Sequence, residues 1–369
     1  MSRPSFRRTM TLESLERREV LSAAPTAAAQ QALSLMNLAR TNPQAAANWL
    51  SQEVANDPNV QATLNFYNVN LQQKLTQLSS ATAQPPLAWN DALGNAAQGH
   101  SQDMSDNNFQ SHTGSDGSSP SDRISNANYG AASSEGEDAF AYASSVTNSI
   151  EAFLLDWGVS DDGHYRNIME PGTSAQNAFS DAGVGIVSSS DSAGNPKAVV
   201  TVDFAKGQNS QPQLVGVVYN DSNSNGVYDP GEGQGGFTIK ATNLANGQSS
   251  STTSAGPGGY QMPLAAGSYD VEAIDSNGRT VSSQDVTIGS TNAEADFNLL
   301  GPTSAASKYT PPAPAPAPAP APAAAVVKFS ASVVRAAIQA PTPTPAAPTP
   351  VSPLSFITSW TAYKANIQD

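Results

Sequence analysis

The chain has 369 residues, 38% hydrophobic and only 13% charged, with 27 Gly and 27 Pro, a composition that describes globular parts joined by low-complexity parts. Its 31 Asp and Glu outnumber 17 Lys and Arg, and the net charge of -14 sets its field against phosphate backbones and anionic lipid surfaces, so no nucleic-acid partner is expected. The absence of cysteine excludes disulfides, thiolate zinc sites and a cysteine nucleophile, so an exported form would rely on cores and metal ions.

Residues 1–24 contain "SRPSFRRTMTLESLERREVLSA", which has the basic start of a signal peptide without its apolar run, and are set aside as a leader. Over residues 11–23 the Leu-Glu-x-Leu-Glu-x-Arg…Leu-Ser pattern resembles the segment heading many planctomycete-type surface and secreted proteins. No stretch approaches the roughly 18–20 consecutive apolar residues of a membrane span, so no transmembrane segment is expected.

From residue 29 to about 110 the apolar spacing predicts helices. Leu35, Leu38 and Ala39 share a face of the first, which Asn42-Pro43 should stop while capping a second that carries Ala46, Trp49 and Leu50. Leu64, Tyr67, Leu71, Leu75 and Leu78 continue the pattern at steps of three and four until "TAQPPLA" breaks it. A helix from about Asn90 places Leu93, Ala97, His100 and Met104 on one face, which makes His100 a core or edge residue. The polar stretch 107–143 predicts a long functional loop holding His112, Asp116, Arg123, Glu135 and Glu137. Beyond it come a helix with Val146, Ile150, Leu154 and Trp157, then "GVSDDGHYRNIM" with His164, and then "DAGVGIV" and "KAVVTVDFA" as strands about a turn containing "SAGNP". The fold class is α+β.

The succession "PPLAWNDALGNAAQGHSQDM", "NFQSHTGSDGSSPSDRI", "EGED", "GHYRNIM", "AGVGIV" and "VTVDFA" resembles, in order and spacing over residues 29–206, the CAP family of cysteine-rich secretory, antigen 5 and pathogenesis-related 1 proteins. That resemblance implies an α-β-α sandwich with a cleft in which His112, Glu137 and His164 converge, with a second acid supplied by Asp161, by Asp162 or by neither. Two neutral imidazoles and a carboxylate can hold zinc or another divalent ion with positions left open. The same side chains could instead lock the loop to the core, and Asp116 and Arg123 are expected to fix that loop while Glu135 stays solvated. Ser111, Ser115 and Ser118 lie in a serine-rich loop and support no Ser-His-acid triad, which leaves metal-activated water as the enzymatic route. Binding of an extracellular ligand or cell-envelope component (lipid, glycan or protein) is the favoured function. The alternatives are a metal-dependent hydrolase and an adhesion or scaffold protein without cleft chemistry.

"DSNSNGVYDPGE" places Asp221, Asn223, Asn225, Gly226, Asp229 and Glu232 at positions 1, 3, 5, 6, 9 and 12 of a calcium loop, with Val227 offering its carbonyl. Its flanks alternate as short strands, and residues 213–299 resemble SdrD-B-like and Cna-B-like Ig-type β-sandwich modules, which implies a calcium-stabilised stalk. Residues 300–352 are a Pro/Ala-rich spacer of polyproline character, and 353–369 carry no assignment. The expected organisation is a leader (1–24), a CAP domain (25–208), a β-module (213–299) and a tail, secreted or displayed at the cell surface. The sequence does not fix an oligomeric state.

Overall fold

The computed structural model describes residues 24–170, 172–190 and 196–300. The leader, the "SAGNP" turn, the Pro/Ala-rich spacer and the final tail therefore fall outside the described residues, apart from Ala24, Pro196 and Leu300 at their margins.

Local capping divides the helical part much as the spacing predicts. Helix α1 (Ala27–Thr41) is capped by the Thr26 side chain and ends at Asn42, whose side chain accepts from Ala45 N to start α2 (Pro43–Asn56) with Pro43 in its first turn. The periodic run from Leu64 to Leu78 is two helices, α3 (Pro58–Phe66) and α4 (Leu71–Ser79). Asn68 turns left-handed at φ 54° and the Asn70 side chain caps α4, so asparagine chemistry overrides a continuous apolar period. After β1 (Ala88–Trp89) comes α5 (Asp91–Asn107), with Asn90 as its N-cap.

Residues 107–143 depart from the predicted loop. They contain α6 (Pro120–Asn126), closed by a capping box between Ser119 and Asp122, and the long strand β2 (Ala132–Ala143). Strand β2 pairs antiparallel with the apolar β4 and takes its conformation from that partner, which its own polar first half does not advertise. Next come α7 (Val146–Leu155), α8 (Gly163–Met169), β3 (Asp181–Ser190) and β4 (Pro196–Gly207). The sheet order is β1-β3-β4-β2, antiparallel except for β1 with β3, so β2 is an edge strand.

Alternation along β4 separates two helical layers. Val200, Val202 and Phe204 share a core with Leu35, Met36, Phe153 and Ile168 of α1, α7 and α8. Val199 packs with Met104 of α5, and Ala205 with Leu93 of α5 and Ile124 of α6. Helix α5 can lie flush on β3 because Gly183 and Gly185 face it: a Cβ there would stand 1.9 Å from Gly94 N and 2.1 Å from Gln98 N.

The second part is all β: β5 (Gln213–Tyr219), β6 (Thr238–Asn243), β7 (Ser249–Thr253), β8 (Gly259–Pro263), β9 (Gly267–Ile274), β10 (Thr280–Ile288), β11 (Ala293–Glu294) and β12 (Phe297–Asn298). One sheet runs β10-β9-β6-β7; in the other, β5 pairs with β11, β12 and β8. Leu214 and Val218 of one sheet meet Ile239 and Val271 of the other in a shared core. This module lies against the first part. Val227 joins the core of α1 and α7, Gln261 Nε2 donates to Trp89 O at 3.1 Å, and Asn292 Nδ2 donates to Pro86 O at 3.0 Å and Ser180 O at 2.7 Å.

Candidate imidazole and carboxylate cleft

Glu137 sits on β2 with its side chain 1% exposed and turned towards α5. His112 Nδ1 lies 2.8 Å from its Oε1, and Arg123 Nη2 donates to its Oε2 at 2.5 Å. Burial alone would raise the Glu137 carboxyl, but the hydrogen bond from His112 and the Arg123 charge outweigh it and hold the group below its ordinary value. An ionised carboxylate only accepts, so His112 Nδ1 carries the proton and Nε2 is left free on a side chain 57% exposed. Arg123 also donates to His112 O and Ser118 O, and Asp116 Oδ1 accepts from Ser118 N, so both fix the loop as expected. Ser121 Oγ donates to the exposed Glu135.

His100 is wholly buried, with Nε2 2.7 Å from Ser111 O and 3.9 Å from Glu137 Oε1. Burial is the largest influence and lowers its pKa, so the ring is a neutral strut under the His112 loop. Asp203, opposite Glu137 on β4, is fully buried with its carboxyl facing that of Glu137. Burial and then the Glu137 charge keep its carboxyl well above the usual range, in its neutral form.

The second imidazole has its own acid. His164 Nδ1 lies 2.8 Å from Oδ1 of Asp156, whose Oδ2 accepts from Tyr165 N at 3.1 Å. Asp156 ends α7 in the left-handed conformation, φ 52°, which aspartate tolerates and which turns the chain back towards α8. Burial opposes a charge on His164, yet the Asp156 hydrogen bond and the charges of Asp138, Asp156 and Asp161 exceed it and raise the pKa. Asp162 is engaged elsewhere, taking Lys74 Nζ at 2.5 Å and Gln77 Nε2 at 3.1 Å. Asp161 reaches His164 by charge alone. The acid hydrogen-bonded to His164 is therefore Asp156, one residue before Trp157 and ahead of the window that sequence reading searched.

Helix α8 is anchored through its C-terminal half. Asn167 Nδ2 donates to Glu137 O at 3.1 Å and Asp138 Oδ1 at 2.7 Å, tying it to β2. The wholly buried Arg40 donates to Ile168 O, Glu170 Oε2, Pro85 O and Phe179 O at 2.7–3.2 Å. Asp138 is the meeting point of the two sides: burial pushes its carboxyl up to about 7, while His164 and, more weakly, His112 pull it down. Glu137 looks to α5 and Asp138 to α8, and because β2 is an edge strand both reach the same margin of the sheet.

Each imidazole, His112 and His164, is oriented by a carboxylate on Nδ1, the place an acid takes behind a metal-binding histidine. Glu137 has both oxygens committed to His112 and Arg123, which makes it an orienting group. Among the described residues no three His, Asp or Glu donors are gathered as a metal cage.

In the loop 221–232, Asp221 accepts from Asn225 N and Gly226 N at 3.1 Å each. Asn223 and Asn225 amides both donate to Asp229 Oδ2 at 2.8 Å, and Glu232 accepts from Ser222 and from Asp229 N. Gly226, at φ +81°, makes the turn. The loop's three carboxylates, Asp221, Asp229 and Glu232, are tied into these hydrogen bonds and, through Asp229 Oδ1, to Gln31 Nε2 at 2.8 Å.

No curated protein matches the chain. Among solved structures, an extracellular protein containing a SCP domain from Bacillus anthracis str. Ames is 24% identical over 40% of this chain, with a TM-score of 0.27, and the match spans 39% of that protein. An outer surface protein of Borrelia burgdorferi is 18% identical over 39% of this chain and 90% of its own, with a TM-score of 0.26. The model of the cysteine-rich secretory protein family, CAP, matches residues 33–204, the segment holding both imidazoles and their acids.

Proposed function

We propose that this is a secreted or surface-displayed protein whose CAP domain binds an extracellular ligand through His112 and His164, with a calcium-stabilised, Ig-like β-module packed beside it. The observation that carries this reading is the pair of imidazole-carboxylate units, His112 with Glu137 and His164 with Asp156, each at 2.8 Å and each leaving Nε2 free. Zinc or another divalent ion, when bound, would supply a positive centre for a lipid headgroup, a glycan or a carbonyl; the chain supplies the donors, their tautomers and the Arg123 charge behind them. Export is supported by the leader's resemblance to surface-protein segments.

Co-sedimentation with phosphatidylcholine and anionic vesicles, and retention on immobilised glycans, should distinguish the parent from H112A/H164A with zinc present and with chelator. Ligand retention lost in both the variant and chelator is the expected result; equal retention assigns the protein to scaffolding. The same tautomers would suit a metal-dependent hydrolase, which requires turnover of an ester or peptide that disappears in chelator and in H112A.

A further inference from the structure

The β-module meets α1 and β1 around a cavity of about 230 Å³, and Glu294 and Asp296 are part of its wall. One contact across this junction is made through a carboxyl. The buried Thr41 hydroxyl, at the end of α1, has Asn37 O at 2.8 Å and Glu294 Oε2 at 2.9 Å. A hydroxyl has one proton to give and lone pairs to receive with, and the Asn37 carbonyl can only accept. Both bonds are therefore made together when Thr41 donates to Asn37 O, four residues back in its own helix, and the Glu294 carboxyl is a neutral acid whose O–H donates to Thr41.

The surroundings suit that neutral form. Asp296 lies two residues on and faces the same cavity, its Oδ1 accepting from Val217 N at 2.8 Å. The other titratable groups that sense these acids are Tyr260 of β8, whose hydroxyl donates to Ala295 O, and Tyr219 of β5, and burial keeps both phenols protonated. Helix α1 turns only uncharged polar groups to the junction here, Gln30, Ser34, Asn37 and Thr41, and no Lys, Arg or His is among the described residues lining the cavity. Burial and then the Asp296 charge keep the Glu294 carboxyl well above the usual range, and burial lifts Asp296 to about 6.

We propose that Glu294 is a proton-dependent latch between the β-module and α1, closed through Thr41 while its carboxyl is neutral and released when it ionises beside Asp296. Away from the junction both carboxyls would be hydrated and ionise in the ordinary range, near pH 4. The docked form thus holds protons that the released form has lost, so docking is strongest in acid and weakens as pH rises, through about 6 for Asp296 and on to the higher value of Glu294. Each such proton shifts the balance towards release by up to about tenfold per pH unit. Glu53 of α2 acts in the same direction elsewhere on the junction, since burial and then the charge of Asp229 in the β-module raise its carboxyl. The remaining polar contacts, Gln261 to Trp89 O and Asn292 to Pro86 O and Ser180 O, are amide bonds without a titratable group.

The chain has no cysteine of its own, so spin labels on Q73C of α4 and S276C of the β9–β10 turn, both exposed positions, report the distance between the two parts. In the full chain at constant calcium that distance should be single and narrowly distributed at pH 5 and gain a longer component at pH 8.5. E294Q/D296N, whose amides stay neutral and can still donate to Thr41, should lose the longer component at pH 8.5. T41V, shown to be folded by its melting curve, should display it already at pH 5. A labelled parent with the same distribution at both pH values would overturn the proposal without reliance on either variant. So would a longer component that persists undiminished in E294Q/D296N, which would assign the pH dependence to Glu53, or a T41V as narrow as the parent at pH 5.

Discussion

Asp156 and His164 meet at 2.8 Å across the turn that joins α7 to α8, with Asp156 held in a left-handed conformation to make the contact. The bond fixes the Nδ1–H tautomer and leaves Nε2 without a hydrogen bond to the described chain. In D156N, zinc affinity should fall about 10- to 100-fold, the usual cost of losing an orienting carboxylate. D161N should change it little, since Asp161 touches His164 only by charge. Parallel zinc titrations of the two variants check this, and equal losses would remove the distinction.

Arg40 holds four acceptors around α8 while wholly buried, including Glu170 at 2.9 Å. R40A strands a buried carboxylate and three carbonyls and should cost about 3–5 kcal/mol in urea denaturation. A loss below about 1 kcal/mol, the range of an exposed pair, would show that the ion pair does not hold α8 in place.

Glu151 on α7 is buried, and burial, opposed by an Asn148 hydrogen bond and aided by the charges of Glu53 and Asp57, lifts its pKa from 4.5 to about 7. Between those values the folded chain binds the extra proton, so this group makes stability fall as pH rises from about 4.5 to 7, after which its effect is constant. E151Q should flatten that slope and gain on the parent by about 2–3 kcal/mol at pH 8 while matching it near pH 4. Denaturation midpoints across pH 4–8 measure it, and parallel parent and variant curves would contradict it.

In the loop 221–232, replacing Asp221 and Glu232 together by Ala should lower calcium affinity and abolish the calcium-dependent rise in the melting temperature of the β-module. Because Asp229 Oδ1 also takes Gln31 of α1 at 2.8 Å, the same change should loosen the contact between the two parts. Calcium titration followed by calorimetric melting decides the matter: a calcium-dependent melt that survives the double change would refute the loop assignment.

Much of this was legible because it is local. Asn42-Pro43, Asn90 and the steps of three and four place α1, α2 and α5 where they stand, and six short motifs in order pointed to the family. What escaped is set by partners distant in sequence. Strand β2 looks like loop because half of it is Ser, Glu and Asp, and only β4 makes it a strand. Asp156 was overlooked because its role depends on a left-handed turn rather than on proximity to His164 in sequence. Asp138, Asp203, Glu294 and Asp296 owe their character to burial, which no single residue announces. The contact of the β-module with α1 likewise rests on Gln31, Thr41 and Asn292, polar residues without a motif.

The most direct measurement is a zinc titration of the full chain beside H112A/H164A, with both confirmed folded by their melting curves. The account predicts a binding event in the parent that vanishes in the variant, which would place the two free Nε2 atoms in one cleft at the margin of β2. Identical heats in the two proteins, or no binding in either, would contradict a shared imidazole site and return both histidines to a purely structural role.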